Sequence, residues 1–160
     1  MDDFDLYRLF KTLHVISVMI LVGAALMEGV IGPILGQARS MEVVRAYARL
    51  LYISENYLSI PAAIAIAVFG YATADRIGLS LDTTWLLLGQ LLFYVIVAIG
   101  LGVLRPAANR LWSLVQDAPD GPVTPAGAAQ LAKPLPALGG VATGLLFVFI
   151  VYLMVAKPGW

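Results

Sequence analysis

The stretch KTLHVISVMILVGAALMEGVIGP, residues 11–33, is apolar enough to lie in a bilayer, yet it holds a histidine near one end and a glutamate near the other. His14 is the only histidine in the chain, and no charged residue separates it from Glu28. Residues of about 9–31 supply the roughly 20 positions that cross ~30 Å of hydrocarbon at ~1.5 Å per residue. The run is longer than a signal-peptide core, and the segment before it is acidic on balance, so it is expected to be a retained span.

Three further apolar runs follow, at about 57–74, 83–104 and 135–156. An unpaired backbone amide in lipid costs several kcal/mol, so all four segments must be helices. Composition agrees. The 160 residues are 61% hydrophobic with a mean hydropathy of +0.89, well above the ~45–50% of a soluble domain. The expected fold is therefore all-α: one domain over residues 1–160, a transmembrane four-helix bundle of up-down topology. Net charge is zero, which gives no reason to expect a nucleic-acid partner. The absence of cysteine excludes disulfides, iron–sulfur clusters, thiolate metal sites and a cysteine nucleophile.

The connections differ in kind. RSMEVVRAYARLLYISEN, residues 39–56, places Glu42, Arg45 and Arg49 on one helical face and Val43, Val44, Tyr47 and Leu51 on others, an amphipathic extension leading into the second span. Pro61 lacks an amide proton, so a kink near Ser59–Pro61 is expected. DRIGLSLD is a short turn between spans two and three. RPAANRLWSLVQ reads as a short surface helix with Pro106 in its first turn, and Thr124 with Pro125 is expected to cap another short helix up to Lys133. The first and third loops carry Arg39, Arg45, Arg49, Arg105, Arg110 and Lys133. The other side carries Arg8, Lys11, Arg76 and Lys157 beside Asp2, Asp3, Asp5, Asp75 and Asp82. The positive-inside rule then places those two loops in the cytoplasm and both termini outside, in the periplasm if the host is a bacterium with an inner membrane. Trp85, Trp112 and Trp160 fall near the expected interfaces as anchors.

In an antiparallel bundle His14 lies about one turn inside the terminal side, at the depth of Gln90, Tyr71, Tyr152 and Met154. Glu28 follows fourteen residues later, nearly four whole turns, so the two project from a similar face but ~21 Å apart along the axis. They cannot share a site. Glu28 instead approaches Glu55 and Asn56 at the start of span two and Arg105 at the end of span three. An ionisable group in a span faces the bundle interior or water by default. Glu28 reads either as a headgroup-boundary residue paired with Arg105 or a loop arginine, or as part of a proton or cation pathway. His14 reads either as an interfacial histidine bonded to Gln90 or a tyrosine, or as a ligand for haem iron or copper. One histidine excludes a bis-histidine haem within one chain. His14 with Met154 remains, or a dimer sharing two His14 residues; without CxxCH, covalent haem attachment is excluded. Met19 and Met27 read as packing residues. No nucleotide, hydrolase or metalloprotease motif occurs.

Several stretches together carry a resemblance: LYRLFKTLHVISVMILVG, the proline of span two, GLSLDTTWLLLGQLLF, the RP leaving span three, and VAKPG at the end. With these the chain resembles a bacterial family of predicted four-helix integral membrane proteins of unknown function. The K-x-LH start is also similar to the first spans of CopD-type copper-resistance proteins and HemJ-type haem-associated proteins. That similarity implies Lys11 and His14 at the motif positions, with His14 as a possible ligand. Small residues at four-residue spacing, Gly32/Gly36, Ala98/Gly102 and Gly140/Gly144, allow close helix approach within the bundle or with a partner. Three functions are thus expected as alternatives. The first is a non-catalytic accessory subunit of a larger membrane assembly, contacting lipids and other subunits or itself. The second is a haem b- or copper-binding redox protein using His14. The third is a small proton or cation transporter using Glu28 and Glu55.

Overall fold

The computed structural model describes residues 3–158. Met1, Asp2, Gly159 and Trp160 lie outside the described residues, and with them the expected charge of Asp2 and the expected anchor Trp160. Helix α1 spans Asp3–Gln37. It overshoots the apolar run at both ends because helical hydrogen bonding continues into the polar flanks, where Asp3 and Asp5 in the first turn complement the helix dipole. Pro33 is tolerated near the exposed end, where its carbonyl accepts Gln37 Nε2 at 3.3 Å.

Helix α2, Met41–Ile53, runs through a π-helical stretch, Ser54–Ser59, into α3, Ile60–Arg76. Helix α4, Thr84–Ile99, likewise runs through a π-helical stretch, Gly100–Leu104, into α5, Arg105–Val115. Each π stretch ends two residues before a proline, Pro61 or Pro106. A proline ring collides with the carbonyl four residues back and offers that carbonyl no donor. A widened turn with longer-range bonding relieves both problems. The irregularity expected at Ser59–Pro61 thus lies just before it, at Ser54–Ser59. The helix expected to start afresh after Leu104 is a continuation of span three, a correction that puts Arg105 inside a long helix rather than at its end. Helix α6, Pro125–Leu131, starts as expected: the Thr124 hydroxyl accepts the Gly127 amide at 3.2 Å. Helix α7, Pro134–Ala156, is the fourth span.

The four long apolar helices pack as a bundle, α1 against α3 and α7, and α4 against α7. Helices α3 and α4 meet where the Tyr71 hydroxyl donates to Gln90 Oε1 at 3.0 Å and lies 2.6 Å from the Tyr94 hydroxyl. All four spans contribute to a central plug of Leu21, Ala62, Ile66, Ile96 and Phe147. On the side away from the termini, called here the loop side, a second cluster joins Ile31 and Leu35 of α1 to Met41, Val44 and Ala48 of α2 and Leu111 and Val115 of α5. Arg45 secures this layer. Its Nε donates to the Val115 carbonyl at 3.1 Å, one terminal nitrogen donates to the Ala118 carbonyl, and the other pairs with Asp120 at 2.8 Å. The α5 segment is therefore packed on α2, not merely laid on the surface.

Met27 packs against the loop-side cluster. Met19, expected in the packing, is 68% exposed and faces outward with Val15, Ile16 and Ile20. The spaced small residues behave similarly: Gly32, Gly36, Ala98, Gly102, Gly140 and Gly144 are exposed. The glycines among them have no atom within 4 Å of where a Cβ would stand. The close approaches within the chain use other glycines. Gly89 takes the Met154 methyl at 2.8 Å from its would-be Cβ, and Gly139 takes Leu104, Ile99 and Val103 at 3.2–3.4 Å.

Candidate functional site

Polar groups gather in two layers separated by the plug. On the terminal side, the His14 ring lies against Gly70 of α3, and Nδ1 is 2.9 Å from the Ile66 carbonyl. A carbonyl only accepts, so Nδ1 carries the hydrogen towards Ile66, and Nε2 is left for another partner. The expected partners were Gln90 or a tyrosine. Gln90 is instead occupied by Tyr71 and by the carbonyls of Leu81 and Leu86, to which its Nε2 donates at 3.0 and 3.3 Å. Tyr152 is exposed and stacks on Phe149.

Gly70 is what admits the imidazole, since a Cβ there would stand 3.0 Å from both Cε1 and Nδ1. Gly70→Ala is expected to push the ring off Ile66 and lower stability by ~1–3 kcal/mol. The check is the unfolding midpoint of the detergent-solubilised protein, and an unchanged midpoint would show that the ring swings aside freely.

Met154, the other expected ligand, is seated on Gly89 of α4 while His14 is seated on Gly70 of α3. The described residues contain no group of three or more histidine, cysteine, aspartate or glutamate side chains able to hold a metal ion.

The loop-side layer is richer. The Ser54 hydroxyl donates to Glu28 Oε1 at 2.7 Å, bringing α1 to the π-helical start of span two. Glu55, only 5% exposed, lies within hydrogen-bonding reach of Glu28. Arg105 sits close enough for its charge to attract Glu55, while its Nε donates to Asn56 Oδ1 at 2.9 Å. Asn56 Nδ2 in turn donates to Asn109 Oδ1 at 2.7 Å and to the Tyr52 carbonyl at 2.8 Å. Among the described residues neither glutamate has a basic nitrogen within ion-pair distance, whereas Arg45–Asp120 and Arg76–Asp3 do pair. The expected Glu28–Arg105 pair is thus replaced by Ser54 and Glu55.

A carboxylate is acceptor-only, so two carboxyls can hydrogen-bond each other only when one holds a proton. Both π-helical stretches flank this layer, and such stretches widen a helix where side chains need room.

Sequence reasoning brought together Glu28, Glu55, Asn56 and Arg105 but missed Ser54 and Asn109. Asn109 follows Arg105 by one helical turn, a spacing that places both on one face once α5 is known to continue α4. Ser54 is simply the neighbour of Glu55.

Four long apolar helices, a plug shared by all of them and a polar network at one depth define an integral membrane helix bundle. The family described as "Predicted integral membrane protein (DUF2269)" matches residues 8–158, and the chain belongs to that family. No curated protein and no solved structure matches it.

Proposed function

We propose that this protein binds and moves protons across its membrane through the Glu28–Glu55 pair. The observation that carries this reading is the nearness of two carboxyl groups inside a helix bundle, with Ser54 bonded to one and Arg105 beside the other. Ionisable groups are expensive at this depth and mark proton or ion pathways when retained. Ser54 fixes Glu28 by donating to it, and the Arg105–Asn56–Asn109 chain beside the pair ties the start of span two to α5. The test is proton uptake into proteoliposomes under an imposed potential, read by an internal pH dye. Wild-type protein should admit protons faster than empty liposomes, and equal rates would remove the proposal.

The outward Gly32/Gly36 and Gly140/Gly144 pairs favour a second reading, association with other subunits or with a second copy. Unfilled glycine faces permit close approach of another helix. A chemically cross-linked band in native membranes that disappears in Gly140→Leu/Gly144→Leu supports it, and a monomer before and after substitution removes it. A haem- or copper-binding role rests on Nε2 of His14, with Met154 or a second copy supplying the other ligand; a colourless, metal-free preparation from cells fed iron, copper and haem precursor ends it.

The surplus of basic residues on the loop side favours a cytoplasmic loop side with the termini outside, and we propose this orientation in a bacterial inner membrane. The cysteine-free chain makes this easy to test. Ser80→Cys, in the turn between spans two and three, should react with an impermeant thiol reagent on intact spheroplasts. Ser113→Cys, exposed on α5, should react only after lysis, and the reverse pattern inverts the orientation.

A further inference from the structure

All four spans change character at one level of the bundle. Span two carries its π-helical stretch at Ser54–Ser59 and span three at Gly100–Leu104, each followed within two residues by a proline. Side-chain contacts put the two stretches at adjacent levels. Ser54 meets Glu28 of α1, and Asn56 meets Arg105 and Asn109, just past the end of the second stretch. On α1, Gly29, Gly32 and Pro33 follow Glu28 directly, and both glycines have open space where a side chain would start. On the fourth span, Gly139 packs on Ile99, Val103 and Leu104, and the chain leaves helical geometry at Lys133, within two turns of it.

Regular packing resumes on either side of this level. On the loop side, α2 and α5 join the end of α1 in one apolar cluster. Arg45 is tied to the end of α5, and the Met41 amide donates to the Gly121 carbonyl at 2.7 Å. On the terminal side the spans are held by the plug, by His14 on the Ile66 carbonyl and by the Tyr71 contacts with Gln90 and Tyr94. Two packed bodies are thus joined by four weakened segments. Packed bodies move as units, and helices bend where proline, glycine or a π turn interrupts the hydrogen-bond ladder.

The carboxyl pair straddles the joint. Glu28 lies on the bundle side of Gly29–Pro33, whereas Ser54 and Glu55 open the π-helical stretch that follows α2. A tilt of the loop-side body carries Ser54 and Glu55 with α2 and leaves Glu28 behind. Ser54 is fully buried and Glu55 is 5% exposed, so water reaches them only when the two bodies part.

We infer that this level is a hinge: the loop-side body rocks on the terminal-side bundle, parting Glu28 from Ser54 and Glu55 and admitting loop-side water to them. The role of the motion rests on the proton reading, since it gives the carboxyl pair its access to one side; the motion itself does not.

The chain has no cysteine, so a single thiol reports the opening. Ser54→Cys, buried at the joint, is compared with Ser17→Cys, buried in the terminal-side body, using the full chain in detergent and a small charged thiosulfonate reagent. Ser54→Cys is expected to react at least about tenfold faster, because reaction at a buried site waits on local opening. Pro61→Ala combined with Pro106→Ala should slow that reaction about tenfold, because alanine supplies the backbone amide that each proline lacks. Both prolines are exposed, so no core contact is lost. A second measurement avoids the buried site. Spin labels on Ser80→Cys, in the terminal-side turn, and Ser113→Cys, on α5, read the distance between the two bodies. A spread of distances that narrows with the two alanines supports the hinge. A Ser54→Cys rate equal to that of Ser17→Cys, or one the alanines leave unchanged, overturns it. Where Ser54→Cys fails to fold, a single narrow distance in both backgrounds overturns it. The expected thiol pattern with proton flux no faster than in empty liposomes keeps the hinge and fails the proton reading. Flux through a wild-type chain whose Ser54→Cys variant is folded and unreactive does the reverse.

Discussion

Glu28→Gln is expected to cut proton flux at least about a hundredfold, the scale of losing a positioned proton-transfer group, with little change in folding. Glutamine has the shape of a protonated glutamate. Its Oε1 still accepts from the Ser54 hydroxyl, a bond of 2.7 Å, and its amide can donate to Glu55 as the proton of a protonated Glu28 carboxyl would. What it cannot do is release that proton. Glu55→Gln should show the same loss, because the contact needs one exchangeable proton and two acceptors. Glu28→Asp, one methylene shorter, should fall between, since it withdraws the carboxyl from both Ser54 and Glu55. The measurement is dye-reported proton uptake in proteoliposomes alongside a melting curve. Full flux in a well-folded Glu28→Gln would remove this pair from any transport role.

Arg105→Met should produce the largest loss of stability among single substitutions in this layer, ~2–3 kcal/mol. The substitution leaves Asn56 Oδ1 without its donor and takes away the positive charge beside Glu55. It also loosens the Asn56–Asn109 bond that ties the start of span two to the end of span three. Arg105 is half-buried, so the effect falls below the ~3–5 kcal/mol of breaking a fully buried pair. Arg105→Lys should recover part of it, because the charge returns but the planar guanidinium that aims Nε at Asn56 does not. Chemical unfolding in detergent micelles reads the order wild type, lysine, methionine. A methionine variant as stable as wild type would show that the network contributes nothing to folding.

The residues that name the solvent were legible from the chain alone. Apolar runs of about 20 residues admit one solution in lipid, so the four spans, their alternation and the polar loops followed from length and hydropathy. Depth was legible too, because rise per residue converts sequence distance into ångströms. That arithmetic separated His14 from Glu28 and put Glu55, Asn56 and Arg105 opposite the latter.

Direction around a helix axis was not legible. Nearly every face of these spans is apolar, so the periodicity that tells core from exterior in a soluble helix is missing, and lipid accepts what the interior would also accept. That is why the paired glycines looked like packing sites yet point outward, while Gly70, Gly89 and Gly139 are the ones pressed by neighbours. It is also why His14 was expected on Gln90 and is found on the Ile66 carbonyl. The chain by itself determined that lipid surrounds this protein, how many times it crosses, and at what depth its costly groups lie, because hydrophobic transfer and helical rise act locally. Only the tertiary structure decided that two carboxyls meet with Ser54 bonded to one and Arg105 nearby, since that depends on how three helices are rotated against one another.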